Sequence, residues 1–318
     1  MKTILKILKY SIVSIIVLFA LLIGIYWKSA IPFEDLKKKY TNTESQFIEV
    51  DGLQVHFRDE GKQNDTLPIV LIHGAAASLH TWEGWVNSLK AEHRVVTLDL
   101  PAFGLTGPNK TGIYSMEYYT QFIEKFLEKR QISRCILGGN SLGGAITWQY
   151  ALAYPHKVSK MILVDAAGYP MQTKSTPVGF RLAKIPVLSD ILQNLSIRSI
   201  TKTSVLNVFV QKEKVTDALI DRYHDLTLRE GNRKALFDML KQKDFFDNGK
   251  YSKINTLNMP TLILWGAGDE LLLPSMGQHF HDDLPNDTLI VLNNLGHTPM
   301  EEDVDKTVNI VKAFLTNK

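Results

Sequence analysis

Ser141 stands at the centre of Gly139-Asn140-Ser141-Leu142-Gly143, directly behind the apolar run Cys135-Ile136-Leu137 and ahead of Gly144-Ala145-Ile146-Thr147-Trp148, which reads as the start of a helix. Strand, sharp turn and helix with a serine at the apex is the shape that acyl transfer needs. The hydroxyl is pushed out toward a substrate carbonyl, and the glycines let the flanking segments pack close. Two later motifs supply partners. An apolar run at 261–265 delivers Gly266-Ala267-Gly268-Asp269, and another at 288–292 leads to Leu295-Gly296-His297-Thr298-Pro299. A histidine that takes the serine proton and an aspartate that orients the imidazole make a weak hydroxyl into a nucleophile.

These residues need a scaffold that brings them to one edge. Parallel-type strand patterns fall at 68–72, 94–98, 134–138, 161–165, 261–265 and 288–292, with helical patterns between most of them, for example 114–129. Serine, aspartate and histidine each follow a strand, so they converge at the carboxyl edge of a parallel sheet. Upstream, residues 46–50 and 53–58 flank Asp51-Gly52, a strong hairpin signal, so a β-hairpin opens a doubly wound sheet. The acid assignment has rivals. Asp269 is also a natural helix cap, which leaves Asp99 and Asp165 as substitutes. His73, in a strand-to-loop dipeptide, is assigned a structural hydrogen bond and no proton transfer. His279 and His281 beside Asp282 and Asp283 suggest a metal cluster, but no matching ligand set occurs elsewhere, and a solvated helix end is the expectation.

From about residue 45 to the end, the chain resembles the α/β-hydrolase superfamily. The resemblance is carried by His73-Gly74, by Asp99-Leu100-Pro101-Ala102-Phe103-Gly104, by the Ser141 elbow, by Asp269 and by Gly296-His297. It implies a Ser141-Asp269-His297 triad on a mostly parallel eight-stranded sheet with helices on both faces and a mobile cap over the pocket. Ala102 replaces the second glycine of many relatives, which should alter only that turn. Serine in place of aspartate at the elbow disfavours the haloalkane dehalogenase and epoxide hydrolase branches. The amides of Leu142 and Ala75 are the expected oxyanion hole, and no metal or organic cofactor is implied.

Composition bounds the rest. The 318 residues suffice for a larger α/β domain with an insertion, and 45% apolar content supplies its core. Residues 1–30 hold Lys2, Lys6, Lys9 and Lys28 without an acid, contributing +4 to the net +3 and leaving −1 for the remainder. A near-neutral catalytic portion argues against nucleic acid as a partner. Cys135 is the single cysteine, so no intrachain disulfide forms. Residues 11–27 carry no charge, reach about 25 Å as a helix, and lack a small-residue cleavage pair. The expectation is an uncleaved, single-pass membrane anchor through residues 10–27, with the catalytic domain extracytoplasmic.

The expected organisation is therefore an anchor (1–30), a charged helix-compatible linker (31–44), a first hydrolase part (45–167), a helical cap (168–250) and a second hydrolase part (251–318). Helical stretches at 187–195, 205–211, 216–229 and 233–246 place the cap between two strands too far apart for one crossover. Ala76, Phe103, Phe180 and Phe209 are the expected substrate contacts. An acyl pocket favours a small-molecule ester or acyl substrate, cleaved by an esterase or lipase-like enzyme. Two other readings stay open: a carbon-carbon bond hydrolase of the ring-cleavage type, which the elbow also resembles, and a catalytically silent ligand-binding or scaffold protein.

Overall fold

Asp51 and Gly52 both take positive φ, 50° and 75°, so the chain reverses in two residues and pairs Val50 with Leu53. This hairpin joins β1 (Ser45–Val50) to β2 (Leu53–Gly61). The other strands are β3 (Ile69–Ile72), β4 (Arg94–Leu98), β5 (Cys135–Asn140), β6 (Val158–Val164), β7 (Thr261–Gly266) and β8 (Asp287–Leu292). They form one eight-stranded sheet in the order β1-β2-β4-β3-β5-β6-β7-β8. β2 runs antiparallel to β1 and β4, and the remaining neighbours are parallel. The computed structural model describes residues 2–170, 174, 197–242 and 249–316.

Period-two alternation of the central strands builds a core on each face. Val70, Ile72, Ile263 and Trp265 point into one cluster, and Ile69, Leu71, Leu262 and Leu264 into the other. The first face is covered by α4 (Met116–Lys129), α5 (Leu142–Ala153) and α9 (Pro274–Asp283), through Phe122, Phe126, Ile146, Tyr150 and Phe280. The second is covered by α3 (Glu83–Leu89) and α10 (Val304–Thr316), through Trp85, Val308 and Val311. α4 starts two residues later than expected because the Ser115 hydroxyl caps it, accepting from Tyr118 N at 3.1 Å.

Between β6 and β7 the described chain is helical: α6 (Arg198–Val208), α7 (Asp217–Thr227) and α8 (Asn232–Lys241). The expected helix at 187–195 and Phe180 lie outside the described residues. The linker forms α2 (Phe33–Tyr40), which buries Leu36 against Leu105 and Leu226, while Lys39 and Tyr40 both bond Asp225, at 2.6 and 2.7 Å.

The amino-terminal run is helical, as α1 (Lys2–Tyr26). Among the described residues, however, no helix is long and apolar enough to cross a membrane. This overturns the expected anchor through residues 10–27, and with it the membrane as a partner and the single-pass, extracytoplasmic localisation. The physical reason lies in the run itself. Its uncharged part is about seventeen residues, at the lower limit for a span, Ser11, Ser14 and Gly24 dilute it, and extension toward the amino terminus adds Lys9 and Lys6.

Candidate active site

Ser141 sits between β5 and α5 with φ 54° and ψ −114°, outside the ordinary wells of an L-residue. The surrounding backbone holds it there. Its amide donates to Val164 O at 3.1 Å, and its carbonyl accepts from Ala145 N and Ala167 N at 3.0 and 3.1 Å. Two glycines are steric requirements of this turn. A Cβ on Gly139 would lie 2.3 Å from the Gly143 carbonyl, and one on Gly143 would lie 2.1 Å from Ile72 O. Leu142 opens α5, so its N–H has no intrahelical acceptor. The Ala75 N–H likewise finds no acceptor among the described residues.

The loop carrying Ala75 is fixed from below. His73 donates from Nδ1 to Gly74 O at 2.7 Å and accepts Leu100 N on Nε2 at 3.0 Å, which defines one neutral tautomer. Burial lowers the His73 pKa, consistent with that neutral form and with a structural role. Asp99 is spent in the same scaffold: it accepts from Leu79 N, from Leu105 N and from His56 Nδ1, at 2.7, 2.7 and 2.8 Å. Burial alone would raise its pKa, but the neighbouring His56, with His73 and His80, draws it below the usual carboxylate range. Asp99 is therefore not the partner of His297.

Asp269 is. Its Oδ2 lies 2.6 Å from His297 Nδ1, and its Oδ1 accepts from Leu271 N and Leu272 N at 2.8 and 3.0 Å. The capping role and the partnership with His297 thus coexist on the two oxygens. Both residues are buried, Asp269 at 2% exposure and His297 at 5%. The His297 loop is tied in by three bonds, two of them to distant segments. Asn140 Nδ2 donates to His297 O at 3.0 Å, His297 N donates to Val208 O at 2.8 Å, and Gly296 N donates to Glu302 Oε2 at 2.7 Å. Glu302 also accepts the amides of Val210 and Gln211 on Oε1. Sequence reasoning missed Asn140 and Glu302: the first sits inside the elbow motif, and the second follows His297 by five residues with no local pattern to mark it.

Ser141 and His297 share one cavity of about 240 Å³. Its walls are largely apolar: Ala75, Ala76 and Ala77 on the core side, Val205, Val208, Leu236, Phe237 and Leu240 from the helices between β6 and β7, and Leu271 and Leu272. No lysine or arginine lines it among the described residues. Of the expected substrate contacts, Ala76 faces this cavity. Phe103 packs edge-on against His73 at 5.9 Å, and Phe209 is buried outside the lining, to which Leu236, Phe237 and Leu240 belong. His279 and His281 are exposed at the end of α9, where His281 Nδ1 meets Asp287 at 2.9 Å.

Comparison with known proteins gives the lineage. An uncharacterised hydrolase of Bacillus subtilis (strain 168), YugF, is 27% identical over 256 residues, 80% of this chain and 91% of the relative. A 2-hydroxy-6-oxononadienedioate/2-hydroxy-6-oxononatrienedioate hydrolase of Burkholderia vietnamiensis (strain G4 / LMG 22486) is 27% identical, spanning 89% and 96%. Lipase 3 of Moraxella sp. (strain TA144) is also 27% identical, spanning 79% of both chains. Among solved structures, a meta-cleavage product hydrolase of Pseudomonas fluorescens IP01 superposes with a TM-score of 0.72 at 22% identity, covering 86% of this chain and 98% of that one. A family profile described as alpha/beta hydrolase fold matches residues 68–304, three quarters of the chain, and the protein belongs to that family of hydrolases.

Proposed function

We propose that this hydrolase cleaves carboxylic esters through an acyl-enzyme on Ser141. The observation that carries the reading is the 2.6 Å Asp269–His297 pair, whose imidazole lines the same apolar cavity as Ser141. In this reading Ser141 Oγ attacks the ester carbonyl while His297 Nε2 takes its proton, and Asp269 accepts from Nδ1 and stabilises the imidazolium. The amides of Ala75 and Leu142 hold the oxyanion. His297 then protonates the departing alcohol, and a water repeats the sequence to release the acid. Residues 168–250 act as a cap that shields the acyl chain.

Carbon-carbon bond hydrolysis on the same residues is the second reading, favoured by the 27% identical relative from Burkholderia. The substrate in that relative's name is a dicarboxylate, and a doubly charged ligand wants cationic partners when it leaves water. Among the described residues the lining holds no cation, which supports the ester instead. The test is a chain-length series of p-nitrophenyl esters run beside a 2-hydroxy-6-oxo-dienedioate, with Ser141→Ala as control. Ester turnover that exceeds cleavage of the dienedioate and vanishes in the control supports the proposal; faster cleavage of the dienedioate, or full ester turnover by Ser141→Ala, overturns it.

A further inference from the structure

Asp165 follows β6 with a φ of +42°, a left-handed conformation that an L-residue adopts only when its surroundings impose it. Its side chain is fully buried. Oδ1 accepts from Gly266 N at 2.9 Å, while Oδ2 meets no donor. Asp165, Asp269 and His297 each present an atom within 4.8 Å of the other two. Asp269 is already committed, with two amides on Oδ1 and the imidazole on Oδ2. A cation would have to compete for those same atoms, so the cluster reads as a hydrogen-bond network and not as a metal site.

Two carboxyl groups this close and sealed from water do not both ionise. Burial first, and then the charge of Asp269, hold the Asp165 carboxyl well above the usual range, which leaves the proton on Asp165. The third acid near Asp165 is Glu302, whose oxygens are taken up by the amides of Val210, Gln211 and Gly296. The titratable groups that face Asp165 are therefore Asp269, His297 and Glu302.

We propose that Asp165 is a positioning residue of this site: as a neutral acid it donates from Oδ2 to the Asp269 carboxylate and fixes the orientation in which that carboxylate meets His297. The inference rests on the Ser-His-Asp reading above. It also accounts for the lone Oδ2, which needs an acceptor and not a donor once it carries hydrogen.

The experiment combines two substitutions with a spectroscopic reading. Asp165→Asn keeps a donor in place, so kcat falls by about threefold at most and the acid limb of the kcat/KM profile moves by less than about 0.3 pH unit. Asp165→Ala removes the donor, and kcat falls about thirtyfold with KM nearly constant. The wild-type minus Asp165→Asn infrared difference at about pH 8 contains the carbonyl stretch of a protonated carboxylic acid, a result that needs no turnover. An acid limb displaced downward by one unit or more in Asp165→Asn, an absent carbonyl band, or an Asp165→Ala enzyme as fast as wild type each overturns the proposal. Should Ser141→Ala retain ester turnover, the triad reading fails, and the infrared band still decides the state of Asp165.

Discussion

The Ser141 elbow and the His297 loop lie at one cavity, yet they are built in opposite ways. The elbow is held by main-chain bonds, to Ala145 N within its own helix and to Val164 O and Ala167 N at the end of β6, and by glycines that close contact demands. The His297 loop is held by polar bonds from Asn140, from Val208 and from Glu302, and Glu302 also grips the foot of the covering helices at Val210 and Gln211. The proposed nucleophile is thus fixed by main-chain contacts with neighbouring strands, whereas the proposed base depends on the Asn140 and Glu302 side chains and on the foot of the covering helices. It follows that disturbance at the foot of the covering helices reaches kcat through His297, while disturbance of their inner surface stays with substrate choice.

The largest effect separates the two regions from the rest of the protein. Ser141→Ala and His297→Ala each lower kcat on p-nitrophenyl butyrate by about 10⁴-fold or more with the fold intact by circular dichroism, and the double variant is no slower than either single one. Glu302→Gln comes next. It weakens three amide bonds to a buried carboxylate, and we expect a loss of about 2 kcal/mol in urea unfolding and a tenfold fall in kcat with little change in KM. Phe237→Ala in the cavity wall is the contrasting variant: it moves the preferred acyl chain longer and leaves kcat on the best ester within about threefold. A fall in kcat from Phe237→Ala equal to that from Glu302→Gln would erase the distinction.

Acid sensitivity follows from the scaffold under the elbow loop. His80 accepts Ser78 Oγ on Nδ1, donates to Tyr40 O, and is pushed down to about 4, chiefly by burial. The unfolded chain binds the proton first, with an ordinary pKa of about 6.5, so stability is lost as pH falls from about 6.5 toward 4. The melting temperature should drop over that window, and His80→Gln should flatten the drop. The smallest effect has the opposite sign to most core substitutions. Ala102 has φ 83°, and Ala102→Gly relieves a left-handed alanine, raising stability by about 0.5–1 kcal/mol in the same unfolding assay.

Strand, turn and helix around Ser141 are legible in five consecutive residues, because the requirements are local: apolar run, glycines, serine. The sheet follows for a similar reason, since short continuous apolar runs such as Ile69–Ile72 and Thr261–Gly266 mark strands buried on both faces. The boundary of the uncharged amino-terminal run was equally plain, but at about seventeen residues it lies at the lower limit for a membrane span, so its pattern alone did not decide whether it crosses one. Which acid meets His297 could not be read locally, because Asp99, Asp165 and Asp269 each follow a strand. Folding commits Asp99 to His56 and two amides, leaves Asp165 beside the pair, and turns one oxygen of Asp269 to the imidazole. The same holds for the cavity wall, where Leu236, Phe237 and Leu240 face the serine and Phe209 does not. Such choices depend on which groups meet after the chain has closed, and a linear pattern carries the types of those groups but not their distances.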